Sequence, residues 1–235
     1  MRIGILAAEP GGAQALGELA DQVRRAADDG FASVWMSNIF GLDALTALAV
    51  AGSQVPGIEL GTAVVPTYPR HPAVLAQQAL TAALAVGPGR LMLGIGLSHK
   101  IVIEDMYGYT FDRPARHMRE YLSVLLPLLD GTAVSVDGST LSAHIGLSVP
   151  RAGRVPVLLA AMAPRMLALA GEQADGTVLW MTGAATVRDY VVPAISAAAS
   201  AAGRPRRRGD RRGRGRGRGA ARRTRRRRGN RLHRR

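Results

Sequence analysis

The chain has 235 residues, no cysteine and a formal net charge of +14. Without cysteine there are no disulfides, thiolate nucleophiles or thiolate metal sites. The charge is gathered at one end. Residues 204–235 hold 18 Arg and one Asp, whereas residues 1–203 hold 13 Lys and Arg against 16 Asp and Glu, so basicity gives no support to a nucleic-acid function of the main body.

In chain order, Arg2–Ala7 reads as a short buried strand. Gln14–Asp29 places Leu16, Leu19, Ala20, Val23, Ala26 and Ala27 on one helical stripe, with Gly30 positioned to end it. Ser33–Ser37 is a second strand, and Asp43 can cap a helix running through Gly52. Ile58–Val65 is the third strand and Pro72–Val86 the third helix, with proline in its first turn. Arg90–Gly96 is the fourth strand. Asp112 can cap a long helix whose apolar face is Met118, Leu122, Leu125 and Leu129, and Pro127 should kink or shorten it. Residues 132–149 suggest a hairpin turning at Asp137-Gly138. Val155–Ala161 and Pro164–Gln173 make a fifth strand and helix, and Gly176–Met181 and Thr186–Ala202 a sixth pair. The N-terminal apolar run is too short for a secretory signal, and no stretch of about 18 apolar residues occurs. A soluble, cytoplasmic protein without membrane contact is the expectation.

Six strand–helix units in strict alternation imply an α/β protein with a parallel sheet, either doubly wound or a (β/α)8 barrel. In both, ligands sit at the C-terminal ends of the strands. The exits of the third and fourth strands, within residues 58–99, are therefore the first places to look for a site. Six units of about 30 residues look like a TIM barrel lacking its last two units.

Four segments carry a resemblance: Gly61–Gln78 (GTAVVPTYPRHPAVLAQQ), Gly89–His99 (GRLMLGIGLSH), Tyr109–Leu122 (YTFDRPARHMREYL) and Leu159–Gly176 (LAAMAPRMLALAGEQADG). Residues 1 to about 203 resemble the bacterial luciferase-like flavin and deazaflavin oxidoreductases, most of all the branch that uses coenzyme F-420. The resemblance implies a (β/α)8 barrel of the luciferase-like type, here truncated to about six units. It also implies hydride transfer between F-420 and a small organic substrate, with an FMN-dependent monooxygenase of the same superfamily as the alternative.

The resemblance further implies a cofactor ring at the C-terminal strand ends. A non-proline cis peptide in the third strand would fall between Ala63 and Val64 and make a bulge behind the ring. The phosphate end would lie at Ala161, Met162 and Ala163, before the fifth helix, where backbone N–H groups favour an anion. Gly96, Ser98 and His99 leave the fourth strand, where a hydroxyl and an imidazole can bond the ring or its side chain. Many deazaflavin members carry Asp-His after the second strand. This chain has Met36-Ser-Asn-Ile-Phe40, and Asn38 exchanges no proton at neutral pH. The catalytic group is thus unassigned, with Asn38 and His99 as candidates, and no metal is expected. His71 is expected to cap or pack locally. His117, among Arg113, Arg116 and Arg119, is expected on a solvated face.

For residues 204–235 three readings compete: a nucleic-acid-binding arm, a solvated disordered tail, and an altered reading frame. The tail has no aromatic residue to stack on bases, and Arg, Gly, Ala and Pro share G/C-rich codons, which favours the third. Domains are expected at 1–203, the barrel, and 204–235, the Arg/Gly-rich tail. The expected partners are a small-molecule substrate, nucleic acid only non-specifically through the tail, and a second copy in a homo-oligomer. A functional class apart is an Arg-rich nucleic-acid-binding protein with a non-catalytic barrel fragment.

Overall fold

The computed structural model describes residues 2–204, so what the sequence suggests for the tail beyond them lies outside the described residues. The elements are β1 (Gly4–Leu6), α1 (Ala15–Asp28), β2 (Ser33–Met36), α2 (Ala44–Gln54), β3 (Glu59–Thr62), β4 (Val65–Pro66), α3 (Pro72–Val86), β5 (Leu91–Gly96), α4 (Pro114–Leu129), β6 (Val134–Asp137), β7 (Ser142–Ile145), β8 (Val157–Ala160), α5 (Pro164–Gln173), β9 (Gly176–Val178), α6 (Ala184–Thr186) and α7 (Val192–Ala201). Single π-helical turns occupy Val102–Met106 and Val187–Val191.

One parallel sheet runs β1-β2-β3-β5-β8-β9, with β4 continuing β3 alongside β5. Each strand position is followed by a helical segment, which gives the six expected strand–helix units. The core lies between sheet and helices. Leu19 and Val23 of α1, Leu45 and Leu48 of α2, Leu75 and Leu80 of α3, and Leu122 and Leu125 of α4 are fully buried with Leu60, Leu91 and Leu93 of the central strands. The antiparallel hairpin β6–β7 closes over Gly138, whose N–H donates to Leu141 O at 3.0 Å. No helix among the described residues is long and apolar enough to cross a membrane.

The α1 stripe holds at Leu19, Ala20, Val23 and Ala26, while Leu16 is exposed and Ala27 half-buried. Asp43 caps α2 as expected, accepting from Thr46 N at 2.9 Å. Asp112 does not cap α4. Arg113 stands at the N-cap with φ 46°, and Pro114, rigid and lacking an N–H, begins the helix in its place. Pro127 does not shorten α4, which runs two residues further to Leu129. The sixth helix starts earlier than expected and contains a π turn.

The larger correction concerns β1. It was expected buried, yet its three residues are exposed, and Ile3 beside it is 55% accessible. Among the described residues β1 pairs with β2 only, and β9 with β8 only. Past β9 the predicted strand ends early, and Trp180 and Met181 are 73% and 89% exposed. An apolar run is buried only when neighbours flank it, and these two edge positions have one neighbour each.

Candidate functional site

Pairing in parallel register brings the strand exits to one rim. Met36 lies level with Thr62, Pro66 with Gly96, Ile95 with Leu159, and Ala160 with Val178. Asn38, Ala63–Val64, Ser98–His99 and Ala161–Ala163 follow directly from those levels, so the strand exits singled out in the sequence share one end of the sheet.

The third strand breaks at that end. Leu60 and Gly61 pair with Leu91 and Met92, but Val65 and Pro66 pair with Ile95 and Gly96. Three residues thus oppose two, which is a β-bulge. The Ala63–Val64 peptide bond within it is cis. The Thr62 hydroxyl bridges the break: it donates to Gly94 O at 2.8 Å and accepts from Gly94 N at 2.9 Å. Thr62 is wholly buried, so these bonds form out of water. The bulge also explains two glycines. A Cβ at Gly94 would collide with Thr62 O, and one at Gly96 would stand 2.7 Å from Val64 Cγ2.

A cavity of about 340 Å³ opens beside the bulge, lined by Asn38, Ile39, Phe40, Gly41, Asp43, Pro66, Pro69, Arg70 and Tyr107. Asn38 Oδ1 accepts from Ala44 N at 3.0 Å, at the start of α2. Asp43 pairs with Arg70 and accepts from Gln78 Nε2 at 2.8 Å, which ties the β4 exit to α2 and α3. Tyr121 Oη donates to the Arg70 carbonyl at 3.0 Å and fixes the same loop from α4.

A second cavity, about 480 Å³, shares Pro69 and Arg70 and extends past Tyr68, Asp112, His117 and Tyr121. Here the structure corrects the sequence. His117 is not on a solvated face; it is 8% exposed. Its ring stacks on Tyr68 at 4.1 Å and 9°, and Nε2 lies 3.3 Å from Thr67 Oγ1. Burial lowers its pKa, an effect that Glu120 partly opposes. Burial likewise raises the pKa of both Tyr68 and Tyr121. The buried Tyr68 hydroxyl has no partner among the described residues. His71 does what was expected: Nδ1 accepts from Ala73 N at 3.3 Å and Nε2 lies 3.1 Å from Ser142 O.

Of the residues proposed from the sequence for cofactor binding or catalysis, Asn38 alone lines either cavity. Ala63 and Val64 are half-buried in the bulge, and Gly96 is buried beneath it. Ser98 is half-buried with φ 65°. His99 is exposed, and its carbonyl accepts from Val102 N and Ile103 N, both at 3.0 Å. Ala161 is buried, while Met162 and Ala163 are exposed at the start of α5, where no side chain caps the helix. No group of His, Asp and Glu able to hold a metal occurs among the described residues.

Sequence reasoning missed Thr62, Arg70 and the burial of His117. For Thr62 and Arg70 the partners lie 32 and 27 residues away, and no local pattern marks them. For His117 a signal existed: His117, Tyr121, Val124 and Leu128 recur at helical spacing, and all are buried.

Comparison with known proteins adds family context. The family model for luciferase-like monooxygenases matches residues 1–212, a little past the Gly203 boundary suggested by composition. A 5,10-methylenetetrahydromethanopterin reductase of Archaeoglobus fulgidus is 30% identical over 163 residues, covering 69% of this chain and 48% of the relative. An F-420-dependent glucose-6-phosphate dehydrogenase of Nocardia farcinica is 33% identical over 162 residues, covering 65% and 47%. The chain spans about half the length of the curated relatives it matches. Among solved structures, the coenzyme F-420-dependent tetrahydromethanopterin reductase of Methanopyrus kandleri superposes with a TM-score of 0.72 at 25% identity, covering 86% of this chain and 62% of that one. An F-420-dependent secondary alcohol dehydrogenase, at 21% identity, superposes with a TM-score of 0.77, covering 87% and 65%. The fold is that of the luciferase-like TIM barrels, of which the described residues supply six strand positions.

Proposed function

Because this chain belongs to the luciferase-like monooxygenase family, we propose that it acts as an oxidoreductase moving a hydride between coenzyme F-420 and a small organic substrate. The observation that carries the reading is the bulged Ala63–Val64 junction, on the same rim as Asn38, Ser98 and the start of α5. Relatives that use F-420 by name support the choice of cofactor.

The residues present fit such a group. The half-buried bulge offers an apolar backing for a flat ring. Gly96 and Ser98 border it, and buried Ala161 followed by exposed Met162 and Ala163 leads into an uncapped helix N-terminus suited to a phosphate. The deazaflavin supplies hydride chemistry when bound. This chain's own residues position and polarise. Asn38, with its oxygen bonded to Ala44, presents N–H donors and takes no proton at neutral pH. In this reading the proton comes from solvent.

The test is titration of the purified chain with F-420 and with FMN, followed by fluorescence, with oxygen uptake recorded during turnover. Saturable F-420 binding without oxygen use is expected. Binding of FMN alone, with oxygen consumed, would overturn the reading in favour of a flavin monooxygenase. Binding of neither cofactor, with salt-sensitive and selective retention of nucleic acid, would favour the Arg-rich binding protein instead.

A further inference from the structure

We infer that Asn38 and Arg70 form a paired donor site for the oxygen of a neutral carbonyl compound with an apolar body. The inference rests on the oxidoreductase reading above and names its class of substrate. Ala44 N–H donates to the Asn38 side chain at 3.0 Å. Since that partner is a donor, the bonded atom is the amide oxygen, and the orientation of the amide is decided by the network. Both hydrogens on Nδ2 then have no partner among the described residues. Arg70 commits Nη2 to Asp43, while Nε and Nη1 have no partner among the described residues.

The acceptors are in the opposite condition. Asp43 Oδ1 takes hydrogen bonds from Thr46 N at 2.9 Å, Thr46 Oγ1 at 2.8 Å and Gln78 Nε2 at 2.8 Å, and Oδ2 takes the Arg70 guanidinium. Asn38 and Arg70 thus present uncommitted N–H donors, while the Asp43 acceptors beside them are taken. A molecule that binds there without leaving buried donors unpaired must bring the acceptor itself.

Charge decides which acceptor. The Arg70 charge is balanced by Asp43 in a direct ion pair. A second carboxylate, Glu9, lies against Gly41 in the cavity wall. With the guanidinium charge balanced by Asp43 and a further carboxylate at the Gly41 wall, an anion is disfavoured and the acceptor is neutral. The rest of the lining sets the body of the molecule. Ile39 and Phe40 are 57% and 62% exposed, and Pro66 and Pro69 line the same cavity. Covering such surface favours an apolar skeleton.

A ketone, aldehyde or enone meets all three conditions. Reduction of its C=O adds a hydride to carbon, and the π-bond electron pair moves to oxygen, which takes a proton from water. The hydride comes from the reduced deazaflavin, which is oxidised by two electrons. Donors on the oxygen act where the charge develops.

The test uses the full chain, with cyclohex-2-enone and cyclohexanecarboxylate as probes of similar shape. Binding is followed by ¹⁵N NMR at the Asn38 side-chain amide and Arg70 Nε, first without cofactor. The enone is expected to shift both resonances and to bind at least about tenfold more tightly than the carboxylate. Asn38→Asp keeps the acceptor for Ala44 N–H but deletes both donors, and Arg70→Gln deletes the guanidinium. Each is expected to weaken enone binding about tenfold. Should Arg70→Gln fail to fold, Asn38→Asp alone decides. Carboxylate binding as tight as that of the enone, or an unchanged enone affinity in Asn38→Asp, would overturn the inference. F-420 affinity is titrated separately, so failure of the cofactor reading is seen apart from failure of the donor pair.

Discussion

The two ends of the parallel sheet handle their cations in opposite ways. At the end where strands begin, Arg90, Arg154 and Arg204 are engaged with backbone carbonyls or a buried carboxylate. Arg90 donates through Nε to Ile58 O at 2.9 Å, through Nη1 to Gly52 O at 3.2 Å and to Val86 O, and through Nη2 to Val55 O at 2.5 Å. It gathers carbonyls from the C-terminal ends of α2 and α3, where a positive charge is favoured. Arg154 holds both oxygens of Asp175, at 2.6 and 2.7 Å, and Arg204 donates to Gly171 O and Ala174 O at the end of α5. At the end where strands exit, Arg70 keeps two nitrogens without partners and Asn38 keeps its amide hydrogens. Engaged donors close a structure, and uncommitted donors recognise a ligand. The contrast sets closed contacts at one end against uncommitted donors at the end where the proposed site lies.

The sharpest way to break that contrast is to exchange the roles of the two arginines in experiment. Arg90→Met should lower unfolding free energy by about 3 kcal/mol, because it leaves carbonyls from four residues without their donor. Urea unfolding of Arg90→Met beside Arg70→Gln reads the difference, since Arg70→Gln should cost about 1 kcal/mol or less. Equal losses would mean that the two ends are not specialised.

The bulge comes next in size. Thr62→Val removes a buried hydroxyl that serves both Gly94 N and Gly94 O, and should cost about 2 kcal/mol. Thr62→Ser should restore most of it. Ala63→Leu probes function at the same place: F-420 affinity should fall about tenfold while unfolding free energy changes by about 1 kcal/mol or less. Parallel losses of affinity and stability in Ala63→Leu would mark the junction as plain core.

Much of this was legible in the sequence, and for physical reasons. α3 and α5 begin at Pro72 and Pro164 as read, because proline at the first helical position marks the boundary in the residue itself. The central strands were legible because their burial follows from apolar runs flanked on both sides. β1 was not: its apolar residues state a preference for burial, and a preference is met only by a neighbour. The bulge at Ala63–Val64 followed from the resemblance alone, since alanine and valine are ordinary strand residues. The Thr62 hydroxyl that bridges it depends on a partner far along the chain, Gly94. His117 was misread because the arginines around it suggest solvent, while its spacing with Tyr121 points inward. Asp43 was legible as a helix cap, but its pairing with Arg70 across α2 and α3 was not.

The smallest expected effects separate the interior histidine from the hairpin anchor by pH. The His117 pKa is lowered in the folded chain by burial, so the unfolded chain binds more protons as pH falls through the ordinary value of 6.5. Stability should therefore decline on acidification, beginning near that value and levelling off once the folded state also protonates. Glu120 behaves differently. Burial alone would raise its pKa, but hydrogen bonds from Thr140 and Ser139 outweigh that and bring it to about 2, against an ordinary 4.5. Its contribution is complete above 4.5 and is lost as pH falls from there towards 2. The His117 window opens near 6.5 and the Glu120 window only near 4.5, so the interval between them isolates the histidine in one series of urea midpoints. His117→Gln should flatten the curve between 6.5 and 4.5. Glu120→Gln, which loosens the hairpin tip from α4, should flatten the lower window and, by removing the charge that opposes the His117 shift, deepen the upper one. A slope between pH 7 and 5 that persists unchanged in His117→Gln would show that the buried imidazole is not the group being titrated there.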